Sequence, residues 1–230
     1  MADSKVKKIE IFSGLPLNQI IQGDCLEVLR GFPDKSVDLV LTDPPYGIER
    51  DKGFEGFEGF GGFGTKIARR RYEDDDWDSE RPQKAVFDEL LRIGKLVMIF
   101  GGNFFADLLP MGTHWIVWDK ENTMPTFGDA ELVWTNSDRK SVKIITRQYN
   151  GLIGKESQRY HPTQKPVDVM AWIIKNYSEV GQTILDPFVG SGTTVVAAKQ
   201  EGRNYIGIEI SSKYVEIAKE RLAHVTTKLL

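Results

Sequence analysis

QTILDPFVGSGTTVVAAKQEGRNYIGIEI (182–210) decides the fold. An apolar strand, QTILDPF, runs into a glycine-rich turn, VGSGTT. The helix VVAAKQEG follows, and a second apolar strand, NYIGIEI, closes the unit. Strand, helix and strand in this order imply a crossover between parallel neighbours. Gly190 and Gly192 let the backbone pass close to a ligand, and the helix N-terminus behind them favours a negative group. The second strand ends in Glu209. A carboxylate about 20 residues past a glycine-rich turn is where doubly wound folds hold ribose hydroxyls. The same residues admit a plainer reading, a strand-to-helix turn beside a surface glutamate. No Gly-Lys-Ser/Thr follows the glycines, so the turn is not a phosphate loop.

Outward from this unit the pattern repeats. NQIIQGD (18–24), SVDLVLTD (36–43) and KLVMIFGG (95–102) read as strands. The last two are nearly unbroken apolar runs, as in strands covered on both faces. CLEVLRGF is a short helix, PQKAVFDELLRI (82–93) a helix with Pro82 in its first turn, and NFFADLLP a helix stopped by Pro110. HWIVWDK and AELVWTN read as two antiparallel strands. KPVDVMAWIIKNYS (165–178) and SKYVEIAKERLAHV are helices. The predicted fold is therefore α/β and doubly wound: a mostly parallel sheet with an antiparallel hairpin strand. No domain boundary is visible, so residues 1–230 are expected to form one catalytic domain. Residues 47–76 read as a long mobile loop. They hold the repeat DKGFEGFEGFGGFG (51–64), too rich in glycine to keep a helix or strand alone.

Composition narrows the class. The chain has 230 residues, 40% apolar and 27% charged, a globular profile with enough length for a real core. The net charge of -3 makes contact with nucleic acid a matter of local basic clusters. The single cysteine, Cys25, excludes an intramolecular disulfide and a cysteine-rich zinc site, and no metal is expected. No apolar run approaches the ~20 residues of a membrane span. The charged start MADSKVKKIEIF lacks the apolar stretch of a signal peptide. The expected location is the cytoplasm.

LTDPPYGIER (41–50) carries the chemistry. Pro44 and Pro45 fix two φ angles and remove two N–H donors. Asp43 is thereby held stiffly beside the Pro44 carbonyl. A carboxylate and a carbonyl side by side form an acceptor pair that matches an exocyclic amino group with two protons to give. Tyr46 offers a face on which a planar ring can stack, worth ~1–3 kcal/mol for a base.

The chain resembles the S-adenosylmethionine-dependent amino-group DNA methyltransferases in their β arrangement, the N6-adenine and N4-cytosine family. DPPY stands at 43–46, HPTQKP at 161–166 and DPFVGSGT at 186–193, in the circularly permuted order of that group. The matching framework runs from about Ile20 to Leu222. The resemblance implies a Rossmann-like methyltransferase sheet with S-adenosylmethionine as cofactor. It makes Asp43, Pro44, Pro45 and Tyr46 the catalytic motif. It places Asp24 on the adenine amino group of the cofactor and Lys165 near its methionine part. Asp186, Phe188, Gly190, Ser191, Gly192 and Thr193 become the cofactor loop, Glu209 the ribose carboxylate, and Asp43 a neighbour of the cofactor. His161 is expected to orient the turn before its helix, and Trp77-Asp78 to be structural.

An aspartate opening the DPPY motif implies N6 of adenine in double-stranded DNA, where serine points to N4 of cytosine. The target base must leave the duplex, because its amine is paired there. Cys25 reads as a packed residue with no covalent role. There is little room for a separate recognition domain. Lys66, Arg69, Arg70 and Arg71 are candidate phosphate contacts, as are Arg139 and Lys140. The resemblance also suggests a homodimer. Other readings stay open: N4 of cytosine, RNA as the substrate, a protein-glutamine methyltransferase, whose motif opens with asparagine, and an inactive binder.

Overall fold

A computed structural model describes residues 14–48, 80–122, 128–149, 160 and 164–226. The loop expected at 47–76 lies outside these from residue 49 on. So do Lys66, Arg69, Arg70, Arg71, Trp77, Asp78 and His161. The elements are β1 (Gln19–Gln22), α1 (Cys25–Leu29), β2 (Val37–Thr42), α2 (Lys84–Ile93), β3 (Gly94–Phe100), β4 (His114–Asp119) and β5 (Ala130–Thr135). After them come β6 (Val142–Thr146), α3 (Val167–Tyr177), β7 (Thr183–Asp186), α4 (Thr193–Gln200), β8 (Asn204–Glu209) and α5 (Ser212–Ala223).

Among the described residues the strands form one eight-stranded sheet in the order β1-β8-β7-β2-β3-β5-β4-β6. Only β5 runs against the rest. It is antiparallel to β3 and to β4, while every other pair is parallel. The unbroken apolar runs are explained by burial on both faces. Leu39, Leu41, Met98 and Phe100 pack with Val169 and Ile173 of α3 and Val195 and Ala198 of α4. Val40, Val97 and Ile99 turn the other way, onto Leu29 of α1 and Phe87 and Leu90 of α2. Full burial of each such side chain contributes roughly 1.5–3 kcal/mol.

Three details differ from the sequence reading. Pro82 precedes the α2 cap, Gln83, and so lies outside the helix. NFFADLLP does not make an α-helix: one 3-10 turn, Gly102–Phe105, is all that forms. Gly102 is pressed against the sheet there, where an added Cβ would lie 2.3 Å from Trp134 Cβ, so the segment follows the sheet surface. Finally, β6 joins the sheet beside β4 as an edge strand with Val142 and Ile144 exposed, and the sequence reading did not include it.

The strand order places the site. From β7 the chain moves outward to β8, and from β2 it moves the opposite way to β3. Between β7 and β2 the winding reverses, and beyond the carboxyl ends of strands at such a point lies the crevice where open α/β sheets bind ligands.

Candidate active site

Four adjacent parallel strands end at this crevice, each in an acidic residue or just before one. β1 leads to Asp24, β8 ends in Glu209, β7 ends in Asp186 and β2 leads to Asp43. The register pairs Gln22 with Glu209 and Asp186 with Gly207, so these carboxylates share one rim.

The Glu209 carboxylate is fixed from both sides. Its Oε2 accepts the Gly190 N–H at 2.9 Å, and its Oε1 accepts the Ser211 N–H at 2.9 Å. Burial raises its pKa, against the pull of those backbone donors. Gly190 (φ 49°) and Gly192 (φ 91°) both take left-handed backbone. A Cβ on Gly192 would meet Ala218 Cβ at 2.8 Å, which lets α5 close onto the turn. On Gly190 it would meet nothing nearer than the Phe188 carbonyl at 4.0 Å, leaving open space above the turn. Ile210, 71% exposed beside Glu209, presents an apolar surface at the same rim. Asp24 caps α1 by accepting the Glu27 N–H at 3.0 Å and is otherwise exposed. A fixed carboxylate, a bare glycine turn and an exposed apolar side chain fit a nucleoside ligand.

Asp186 is turned inward. It is 3% exposed, and its Oδ1 accepts the Thr42 hydroxyl at 2.7 Å and the Phe188 N–H at 3.1 Å. Burial pushes its pKa up to about 6. It ties the glycine turn to the end of β2. A second tie runs from the HPTQKP segment. Gln164 Oε1 accepts the Ser191 hydroxyl at 3.2 Å and the Tyr160 N–H at 3.0 Å. Arg221 of α5 donates to the Ser191 carbonyl at 2.7 Å and to Thr193 Oγ1 at 3.3 Å. The turn is thus held by three separate elements.

Asp43 is the centre of the second half. Its Oδ1 accepts the Tyr46 hydroxyl at 2.6 Å, and its Oδ2 accepts the Lys165 ammonium at 2.6 Å. Pro44 is buried beside it. Lys165 is only 5% exposed and also lies 3.2 Å from Glu131 Oε2, an ion pair without hydrogen-bond alignment. Glu131 Oε1 in turn accepts Lys120 at 2.6 Å. Burial opposes charge on Asp43, Lys165 and Glu131. For Asp43 burial prevails and raises its pKa, Lys165 pulling it down and Glu131 pushing it up. For Lys165 the two carboxylates outweigh burial and keep it protonated. For Glu131, Lys165 and Lys120 outweigh burial and hold it at about 2.

Tyr46, expected to offer a stacking face, is itself held firmly. It is 8% exposed and stacks on Phe104 at 4.7 Å between centroids, with 17° between the planes. Gly101 (φ 64°) approaches its ring edge so closely that an added Cβ would lie 2.4 Å from Tyr46 Cε1. In this arrangement the tyrosine anchors Asp43. Gly101→Ala is therefore expected to destabilise the fold by about 1–3 kcal/mol through overpacking. It is also expected to lower turnover more than stability explains, because Tyr46 must leave Asp43. A thermal melt alongside kcat checks this, and unchanged kcat in the variant contradicts it.

The remaining candidates separate. Arg139 and Lys140 are exposed, but they follow β5, whose last residue, Thr135, pairs with Met98 of β3. Because β5 runs antiparallel to β3, the chain beyond Thr135 heads toward the amino ends of the parallel strands, opposite the crevice, and these two residues do not join this site. Arg139 sits over the Tyr177 ring at 5.5 Å. Cys25 is half-buried, and burial with the neighbouring Asp24 pushes its thiol up to about 12. The sequence reading missed Lys120 and Glu131. The one available signal was a glutamate inside an otherwise apolar strand, AELVWT.

A motif-bearing acceptor pair beside a nucleoside-shaped rim, on a sheet wound in this order, defines a group-transfer enzyme acting on an amine. The family described as DNA methylase matches residues 115–220. The chain is 30% identical over 230 residues to the putative methylase YubD of Escherichia coli (strain K12), covering 91% of this chain and 92% of that protein. It is 28% identical to the type II methyltransferase M.HinfI of Haemophilus influenzae, covering 91% of this chain and 69% of the relative. Among solved structures, the M1.HpyAVI–SAM complex superposes with a TM-score of 0.56 at 26% identity, covering 89% of this chain and 98% of that one. The chain belongs to this family, the S-adenosylmethionine-dependent amino-methyltransferases of DNA.

Proposed function

We propose that this chain methylates the N6 amino group of adenine in double-stranded DNA. The donor, S-adenosylmethionine, supplies a methyl group made electrophilic by its sulfonium. The supporting observation is Asp43, held at the end of β2 by Tyr46 and Lys165, next to the Pro44 carbonyl. An aspartate there, in place of the serine associated with cytosine, favours adenine.

An exocyclic amine is conjugated to its ring and is a weak nucleophile. Donating one proton to Asp43 and the other to the Pro44 carbonyl draws its lone pair out of conjugation. The nitrogen then forms its bond to the methyl carbon as the carbon–sulfur bond breaks. Asp43 is the nearest acceptor for the proton the nitrogen must lose, and burial, which raises its pKa, suits it to that role. Pre-set geometry rather than a covalent intermediate supplies the rate. The protonated Cys25 thiol has no part in it. The chain acts as a single catalytic unit on a base flipped out of the duplex, at an unstacking cost of roughly a few kcal/mol. Glu209 and Ile210 take the nucleoside end of the donor, and the space above Gly190 admits it.

The test is a nucleoside digest. The protein is incubated with unmethylated duplex DNA and S-adenosylmethionine, and the hydrolysate is analysed by mass spectrometry. N6-methyladenine is expected. N4-methylcytosine instead keeps the mechanism and overturns the base assignment.

A further inference from the structure

Asp43 and Lys165 belong to sequence motifs, but the charge row does not end with them. Lys120, at the end of β4, and Glu131, on β5, extend it to four groups of alternating sign: Lys120, Glu131, Lys165 and Asp43. Both added side chains are 12% exposed. Burial of charge at that level is costly unless each group is paired. The row reaches Asp43 at Oδ2, while Tyr46 holds Oδ1. Resting on the methyltransferase reading, we infer that Glu131 and Lys120 are positioning residues for Asp43, which act by dividing the Lys165 ammonium between two carboxylates.

The argument is geometric first. Lys165 Nζ is 2.6 Å from Asp43 Oδ2 and 3.2 Å from Glu131 Oε2, so it is shared unequally. Lys120 holds the far oxygen of Glu131 at 2.6 Å and fixes how much of Glu131 is left for Lys165. Without Glu131, Lys165 pairs with Asp43 alone and its full charge weakens Asp43 as an acceptor. Without Lys120, Glu131 draws Lys165 away and Asp43 holds a proton more readily. The groups facing Asp43 are Lys165 from the segment before α3, Glu131 from β5, Tyr46 from its own turn and Asp186 from β7. Tyr46 and Asp186 stay as they are in both variants, so neither accounts for shifts of opposite direction.

The signs follow. Asp43 must be ionised to accept the amine, so turnover falls on the acid side as Asp43 protonates. Glu131 pushes the Asp43 pKa up, so Glu131→Gln moves the acid limb of kcat to lower pH. Lys120→Met removes a positive charge from the row, so the limb moves to higher pH. Each displacement is expected to be about one pH unit, the scale of one nearby charge in a partly screened site. Glu131→Gln is also expected to lower kcat about tenfold, with KM for DNA within about threefold.

The experiment measures kcat and KM across pH for the wild type and both variants on the same duplex. S-adenosylmethionine affinity is measured by calorimetry and folding by thermal melt. Opposite displacements of the acid limb, at unchanged cofactor affinity, are the expected result. A structural role alone lowers stability or affinity and leaves the limb in place, and that outcome overturns the inference. Displacements in the same direction, or no acid limb at all, overturn it too. Should Glu131→Gln fail to fold, the upward shift in Lys120→Met still decides the matter. If the wild type methylates no DNA, the methyltransferase reading fails instead, which is a separate result.

Discussion

Asp43→Ala is expected to abolish turnover while leaving cofactor binding nearly intact. The carboxylate is one half of the acceptor pair that polarises the amine, and nothing else on the rim replaces it. The other carboxylates facing it are already committed, Glu131 to Lys120 and Lys165 and Asp186 Oδ1 to Thr42 and Phe188. Loss of one aligned hydrogen-bonding group at a reacting centre costs about 10²–10³ in kcat. Loss of the proton acceptor with it brings the expected fall to a thousandfold or more, on the scale of about 10²–10⁴ for general base work alone. Glu209, Gly190 and Ile210 are untouched, so S-adenosylmethionine affinity should stay within about tenfold. Lys165 keeps Glu131 as a partner, which limits the loss of stability. Single-turnover methylation and isothermal titration on the same sample separate the two effects. Methylation at a normal rate by this variant removes Asp43 from the chemistry.

Much of the framework was legible because it rests on local rules. Residues 36–43 and 95–102 read as buried strands since both faces of the sheet are covered, which leaves no polar alternation to blur them. Glu209 could be placed at the rim from sequence because a glycine turn and a following strand fix where its carboxylate sits. What escaped lies between elements far apart in sequence. Glu131 meets Lys165 across a gap in the chain that no short pattern spans, and a glutamate in a strand ordinarily reads as a solvent-facing position. The β6 edge escaped for the opposite reason: its outward residues, Val142 and Ile144, are exposed, so VKIIT gives no clean signal of which face is buried. Tyr46 was recognised, but its tie to Asp43 and its fixed ring were not, because Phe104 and Gly101, which hold the ring, come from a turn after β3.

Lys165→Met carries the second large effect, on stability and turnover together. Lys165 is the only cation within bonding distance of Asp43 among the described residues. Removing one partner of a buried pair costs about 3–5 kcal/mol, because the other charge is stranded. Here two carboxylates are stranded at once, although Lys120 still holds Glu131. The deficit must depend on pH. Without the ammonium, burial raises the folded-state pKa of Asp43 further above its unfolded value, and Glu131 loses one of the two cations that hold it down. A carboxylate raised in the fold favours the fold below its unfolded pKa and opposes it once ionised. The variant is therefore expected to lag the wild type most at pH 8 and to recover part of the loss near pH 5. Adding Glu131→Gln to Lys165→Met is expected to restore stability at pH 8, since it removes the like charge facing Asp43. Urea unfolding of the three proteins at both pH values reads this directly. An equal deficit at pH 8 and pH 5, with no gain from the second substitution, means that Lys165 stabilises the fold by packing on Phe100 and Tyr46. In that case the charge row does not govern Asp43.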